Sequence, residues 1–262
     1  MSSYVYRAPT ALIKELGITE PQEINIEAIA QYCGATVVYE PLSGCAARIV
    51  GHGDRAIITV DSQTQRPRQR FSAAHELGHW MRDRGKVGFA CTEANLTSDW
   101  TGTSAERGAN EYAADLLLPQ HIFAPLATKQ EITFATVEAL AHTFVTSITA
   151  TAIRLVQHGS FPAMIVYSDS GRRKWFIRGP DVPDKLWPRE QPKRDTVAYD
   201  LMQGKESQHP IEIYADSWID DGDAGRYGLV EDSIRIGKQS VLTLLWWKDE
   251  RQLLDLSEKD ED

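Results

Sequence analysis

The chain has 262 residues, enough for one large domain or two modest ones with a buried core. A hydrophobic share of 42% beside 25% charged residues is ordinary for a globular fold, and no apolar run approaches the length of a membrane span. The net charge of −9 argues against direct binding to duplex DNA, because phosphate contacts supply most non-specific affinity. The first residues, Met1–Arg7, lack the apolar stretch of a secretory signal. Cys33, Cys45 and Cys91 form no CxxC pair that would suggest a disulfide framework. A cytoplasmic protein with no membrane contact is expected.

Two short amphipathic helices are predicted near Pro9–Leu16 and Ile24–Cys33, the second stopped by Gly34. Ala35–Glu40 reads as a strand ended by Pro41, and Ala46–Val50 and Ala56–Val60 flank the turn Gly51-His52-Gly53-Asp54 as a hairpin. These strands predict a small antiparallel sheet. The strongest helix follows at 66–82, then a polar loop at 84–102, then a second helix over 104–118 stopped by Pro119. Val137–Phe144 and Ile148–Gln157 form a helix-turn-helix-like pattern around Val145-Thr146-Ser147. Beyond Ser160 the texture becomes strand-like, at Ala163–Tyr167, Lys174–Ile177, Ser233–Ile236 and Val241–Lys248, with a proline-rich connection between the pairs. The acidic end of the chain, 257–262, is expected to fray.

The chemistry concentrates on His75-Glu76-Leu77-Gly78-His79. Histidines four apart on a helix present both imidazoles on one face, where they can share one ion. Glu76 lies about 100° around the helix, beside such an ion and not on it, where a carboxylate can take a proton from an acidified water. Gly78 removes bulk beside the site. Two histidines hold a metal too loosely, so a third ligand is required. Glu106 on the following helix offers it, and a His, His, Glu set leaves a fourth position open, as in catalytic centres. Asn110, one turn after Glu106, can hydrogen-bond either histidine and fix its tautomer.

The blocks Arg68-Gln69-Arg70-Phe71-Ser72-Ala73-Ala74-His75-Glu76-Leu77-Gly78-His79 and Glu106-x-x-Ala109-Asn110-x-Tyr112-Ala113-Ala114-x-Leu116-Leu117-Leu118-Pro119 resemble the ImmA/IrrE metallopeptidase family. The likeness covers roughly 10–160. It implies a gluzincin-like centre with one catalytic Zn2+ held by His75, His79 and Glu106, and Glu76 as general base and proton shuttle. It also implies a protein substrate, a helix-turn-helix repressor whose cleavage relieves repression of stress-response or mobile-element genes. One departure stands out: many relatives have an acidic residue directly before the Ala-Asn pair, where this chain has Gly108. Glu111 and Glu93 are the reserve ligands.

The second donor that a developing oxyanion needs is open among Tyr112, His121, Arg70 and His52, with packing the commoner role for Tyr112. Cys45 precedes the hairpin at the expected cleft edge, and its thiolate could close the open metal position as a redox switch. A small half-buried side chain is the commoner outcome for Cys45, and also for Cys91. The expected fold is α+β: a zincin-like helical peptidase core with a small antiparallel sheet at 1–130, a helix-turn-helix-like segment at 131–159, and a mostly β C-terminal module at 160–262. The leading function is a zinc-dependent endopeptidase. The alternative is a metal-stabilised regulatory binding module, contacting a repressor, another partner or DNA in the manner of a toxin–antitoxin component, without proteolysis.

Overall fold

A computed structural model describes residues 6–83, 89–91, 104–221 and 223–253, with the backbone alone at 83, 89–91 and 104. The architecture is mixed α+β, with two sheets. The chain divides into two compact units, Met1–Phe123 with Ala141–Ser147, and Ala124–Leu140 with Ile148–Asp262. Residues 131–159 therefore contribute to both.

In the first unit, β1 (Ala35–Glu40), β2 (Ala47–His52), β3 (Arg55–Asp61) and β4 (Phe89–Cys91) form a sheet of order β1-β3-β2-β4. The β2–β3 hairpin turns through Gly53, whose φ of 58° suits glycine. The sheet is mixed, not wholly antiparallel as the hairpin suggested, because β1 pairs with β3 in parallel. The hairpin pattern fixes β2 against β3 but not which of them lies beside β1. With β3 inserted between the others, β2 becomes the return stroke and β1 and β3 run the same way. β4 falls in the stretch expected to be loop.

Around this sheet lie α1 (Pro9–Glu15), α2 (Ile26–Tyr32), α3 (Arg66–Asp83), α4 (Ser104–Leu117) and the start of α5 (Gln120–Ala127). Asn25 caps α2, its side-chain oxygen accepting from the Ala28 N–H at 2.9 Å. The Gln69 side chain straps the start of α3 to the preceding turn, donating to the Thr64 carbonyl at 2.8 Å. α3 packs on β2 and β3 and buries Ala73, Ala74, Leu77 and Met81 on one side. Trp80 fixes its far end. Its ring occupies the space a Cβ at Gly51 of β2 would need, and its indole N–H donates to the Cys33 carbonyl at 3.0 Å.

In the second unit, β5 (Ala163–Asp169), β6 (Arg172–Arg178), β7 (Ile211–Tyr214), β8 (Gly228–Arg235) and β9 (Ser240–Trp246) form an antiparallel sheet of order β6-β5-β9-β8-β7. Met164, Val166, Leu245 and Trp247 join Trp218, Leu186 and Ala198 in one apolar cluster. Two further helices follow, α6 (Phe134–Phe144), divided between the units, and α7 (Ile148–His158), and Val145 at the break has φ 53°. α7 lies on β5 and β6. Two buried carboxylates of β8 serve as caps. Asp232 accepts from the Phe134 N–H at 2.6 Å, and Glu231 accepts from Ala198 N–H at 2.8 Å, at the start of α8 (Val197–Met202). Burial pushes the Glu231 carboxyl above its ordinary value, while these hydrogen bonds work the other way. Among the described residues no single helix is long and apolar enough to cross a membrane.

The Gly51–Trp80 contact predicts that Gly51→Ala, which forces a methyl into an indole ring, costs about 1–3 kcal/mol. Exposed Val50 on the same strand, changed to Thr, should stay within about 0.5 kcal/mol. Urea unfolding of the two variants checks this pair, and equal effects would contradict the packing argument.

Candidate metal centre

α3 and α4 meet through small residues. A Cβ on Gly78 would stand 3.1 Å from Tyr112 Cβ and 3.2 Å from Ala109 Cα, so a side chain there would push the helices apart. Gly78 thus does more than clear bulk beside the histidines. It sets the separation that lets α4 deliver its carboxylate.

At that separation the three expected ligands converge. His75 Nε2 and His79 Nε2 lie 3.1 Å apart, and Glu106 places one oxygen 3.3 Å from His75 Nε2 and the other 3.5 Å from His79 Nε2. One ligand atom from each residue falls within 4.8 Å of the others, so the group can hold a metal ion. Both imidazoles are buried, whereas the Glu106 side chain keeps 19% exposure. Of the three ligands, the carboxylate is the one with most contact with solvent.

Asn110 Oδ1 lies 2.7 Å from His75 Nδ1. An amide oxygen only accepts, so Nδ1 carries the hydrogen and Nε2 presents its lone pair to His79 and Glu106. Burial, with the neighbouring His79 and Arg68 adding to it, pulls the His75 pKa down from 6.5 to about 3, against the Asn110 hydrogen bond. His75 is therefore neutral at physiological pH, the form that ligates metal. Arg68 was not among the expected site residues. Its seven-residue spacing from His75, two helical turns on one face, is the signal that places it there.

Glu76 is completely buried beside His75 on α3. The remaining candidates lie as follows. The Tyr112 hydroxyl donates to the Arg7 carbonyl at 3.3 Å, and its ring packs edge-on to Tyr6. Arg70 is buried near Glu27, Tyr39 and Arg66, on the face of α3 away from the histidines. His52, His121 and Glu111 are exposed. Cys45 is a half-buried free thiol, and among the described residues the metal-capable group contains no cysteine. Glu93 and the Cys91 side chain lie outside the described residues. At Gly108, the Arg82 guanidinium occupies the space a Cβ would need, so this departure from relatives makes room for an arginine.

A buried His-His-carboxylate triangle on two packed helices defines a metal-binding class of site. Residues 30–156, just under half of the chain, match the sequence model of the IrrE N-terminal-like domain of the M78 peptidases. That stretch is therefore similar to a domain of that peptidase family, and it contains both motif blocks. It is 34% identical over 74 residues to the "Uncharacterized protein YqaB" of Bacillus subtilis (strain 168), a match covering 28% of this chain and 41% of that protein. The chain thus spans less than half the length of that relative. Its fold resembles a solved structure titled "Mycobacterium tuberculosis transcriptional regulator", with a TM-score of 0.55 and 16% identity over 90% of this chain and 73% of the other. At that identity the likeness concerns the fold alone.

The depressed His75 pKa sets a pH dependence for the metal-free chain. Below about pH 6.5 the unfolded state takes a proton at this position that the folded state refuses until about pH 3. The stability contribution is full above the upper value and falls through that window, by at most about 1.4 kcal/mol per pH unit. Urea midpoints of wild type and His75→Gln, compared from pH 7.5 downward, should therefore converge as pH falls. Parallel curves would show that position 75 does not titrate in this way.

Proposed function

We propose that the chain is a zinc-dependent endopeptidase whose centre is His75, His79 and Glu106, with Glu76 as the proton carrier. The observation that carries this reading is the convergence of two imidazoles and one carboxylate within 4.8 Å. Zinc bonds of about 2.0–2.1 Å place tetrahedral ligand atoms about 3.3–3.4 Å apart. Here the two Nε2 atoms are 3.1 Å apart, one Glu106 oxygen is 3.3 Å from His75 Nε2 and the other is 3.5 Å from His79 Nε2, each close to that spacing. Two imidazoles and one carboxylate also suit zinc better than magnesium or calcium, which prefer oxygen ligands throughout. Three protein ligands leave the fourth position for chemistry, which distinguishes a catalytic from a structural zinc.

Zinc held there supplies Lewis acidity toward water and toward the substrate carbonyl. Asn110 keeps His75 in the tautomer that ligates. Glu76, one residue along the same helix, takes the proton of the attacking water and passes it to the leaving amine. Its burial keeps competing bulk water away from that exchange. The buried triangle, the adjacent carboxylate and the M78 domain together support a zincin-type peptidase over a site that serves stability alone. The substrate class we propose, from the family resemblance, is a helix-turn-helix transcriptional repressor.

Zinc content and cleavage separate the roles. Wild type should bind one zinc per chain and Glu106→Ala should lose it. Glu76→Gln should keep the zinc while cleavage of a helix-turn-helix repressor substrate falls by about 10²-fold or more. Mass spectrometry of the products beside metal analysis of each variant is the measurement. Cleavage by zinc-loaded Glu76→Gln at the wild-type rate would refute the mechanism, and full zinc retention in Glu106→Ala would refute the ligand set.

A further inference from the structure

Arg70 has no place in the zinc chemistry, and its surroundings are unusual for a guanidinium. It is 7% exposed, yet its Nε is buried with no hydrogen-bond acceptor. Among the described residues the side chain makes no ion pair. A buried cation without a partner is destabilising, and proteins rarely keep one unless something compensates it.

The nearest carboxylate is already committed. Glu27 Oε1 accepts from the Tyr39 hydroxyl and from Arg66 Nη2 at 2.7 Å, and Arg66 Nη1 donates to the Tyr39 oxygen at 2.9 Å. Against the upward push of burial, hydrogen bonds from Tyr39 and Arg66 hold Glu27 below the usual carboxylate range, so it stays an anion. Two arginines and one carboxylate leave an excess positive charge.

The direction of the side chain completes the picture. On a helix, side chains lean toward the amino terminus, and Arg70 stands in the second turn of the 18-residue α3. The groups that act on it electrostatically, Arg66, Glu27 and Tyr39, all gather at that end. There the helix dipole also favours negative charge. Burial draws the Arg70 pKa down, with Arg66 adding to it, as expected for a cation lacking its counter-charge.

We propose that Arg70 and Arg66 form an oxyanion site at the amino-terminal end of α3, on the face opposite the histidines, that takes a phosphate or carboxylate group. The anion accepts from the Arg70 guanidinium and is held against the first turn of the helix, with Arg66 shared between it and Glu27. Occupancy stabilises the amino-terminal end of the helix that carries the metal ligands. The site is independent of zinc.

The test uses the full, metal-free chain, titrated with sodium phosphate or with sodium acetate at constant ionic strength. Thermal unfolding and the 15N-resolved Arg70 Nε–H signal are followed together. The expected result is a saturable shift of that signal and a rise in Tm with one or both anions, but not with sodium chloride. Comparison of the two arms identifies which oxyanion the site prefers. Arg70→Gln should abolish the Tm response, and Arg66→Gln should weaken it roughly tenfold. If Arg70→Gln does not fold, the Nε–H signal and Arg66→Gln still decide. A signal unmoved by phosphate and acetate overturns the proposal. So does an equal response to chloride, or an unchanged Tm response in Arg70→Gln.

Discussion

Gly78 on α3 faces Ala109 and Tyr112 on α4 so closely that a methyl group would have to push them back, and the centre depends on that close approach. Imidazole and carboxylate arms are short, so two histidines and a glutamate bring one ligand atom each within 4.8 Å of the others only if the two helix backbones approach closely. The same separation brings Asn110, one turn beyond Glu106, onto the back of His75. Ligand delivery and ligand orientation thus follow from one packing contact, and Trp80 against Gly51 holds the other side of α3 to the sheet.

The electrostatics of this unit follow from burial. His75 and His79 are withdrawn from water with their Nε2 atoms 3.1 Å apart, and Glu106 sets carboxylate oxygens beside them. Converging electron pairs repel one another, and a divalent cation turns the repulsion into bonding. The depressed pKa of His75 expresses the same preference, since the burial that rejects a proton leaves the nitrogen available to a metal. Arg70, on the opposite face, shows the converse case of a buried cation whose Nε has no hydrogen-bond acceptor and whose charge burial disfavours.

Helices α1 to α4 were legible because their signals are local, whereas α5 (Gln120–Ala127) was not expected. The His75–His79 spacing, the stop at Pro119 and the one-turn spacing of Glu106 and Asn110 each act within a few residues, and the structure places them at 66–83 and 104–117. What was not legible depends on distant partners. α8 has only six residues, and its start is capped by Glu231, more than thirty positions away. β7 has four residues and gains its place only by pairing with β8. Strand order was hidden for the same reason, since nothing local to β1 indicates that β3 lies beside it. Gly78 was visible in the sequence, but its function in spacing the helices required its neighbour's coordinates.

X-ray absorption spectroscopy of the chain loaded with one equivalent of zinc addresses the centre most directly. The account predicts a first shell of nitrogen and oxygen at about 2.0–2.1 Å, with the outer-shell pattern of two imidazoles and no sulfur at about 2.3 Å. A sulfur scatterer, or an imidazole count other than two, would contradict a zinc centre built from His75, His79 and Glu106.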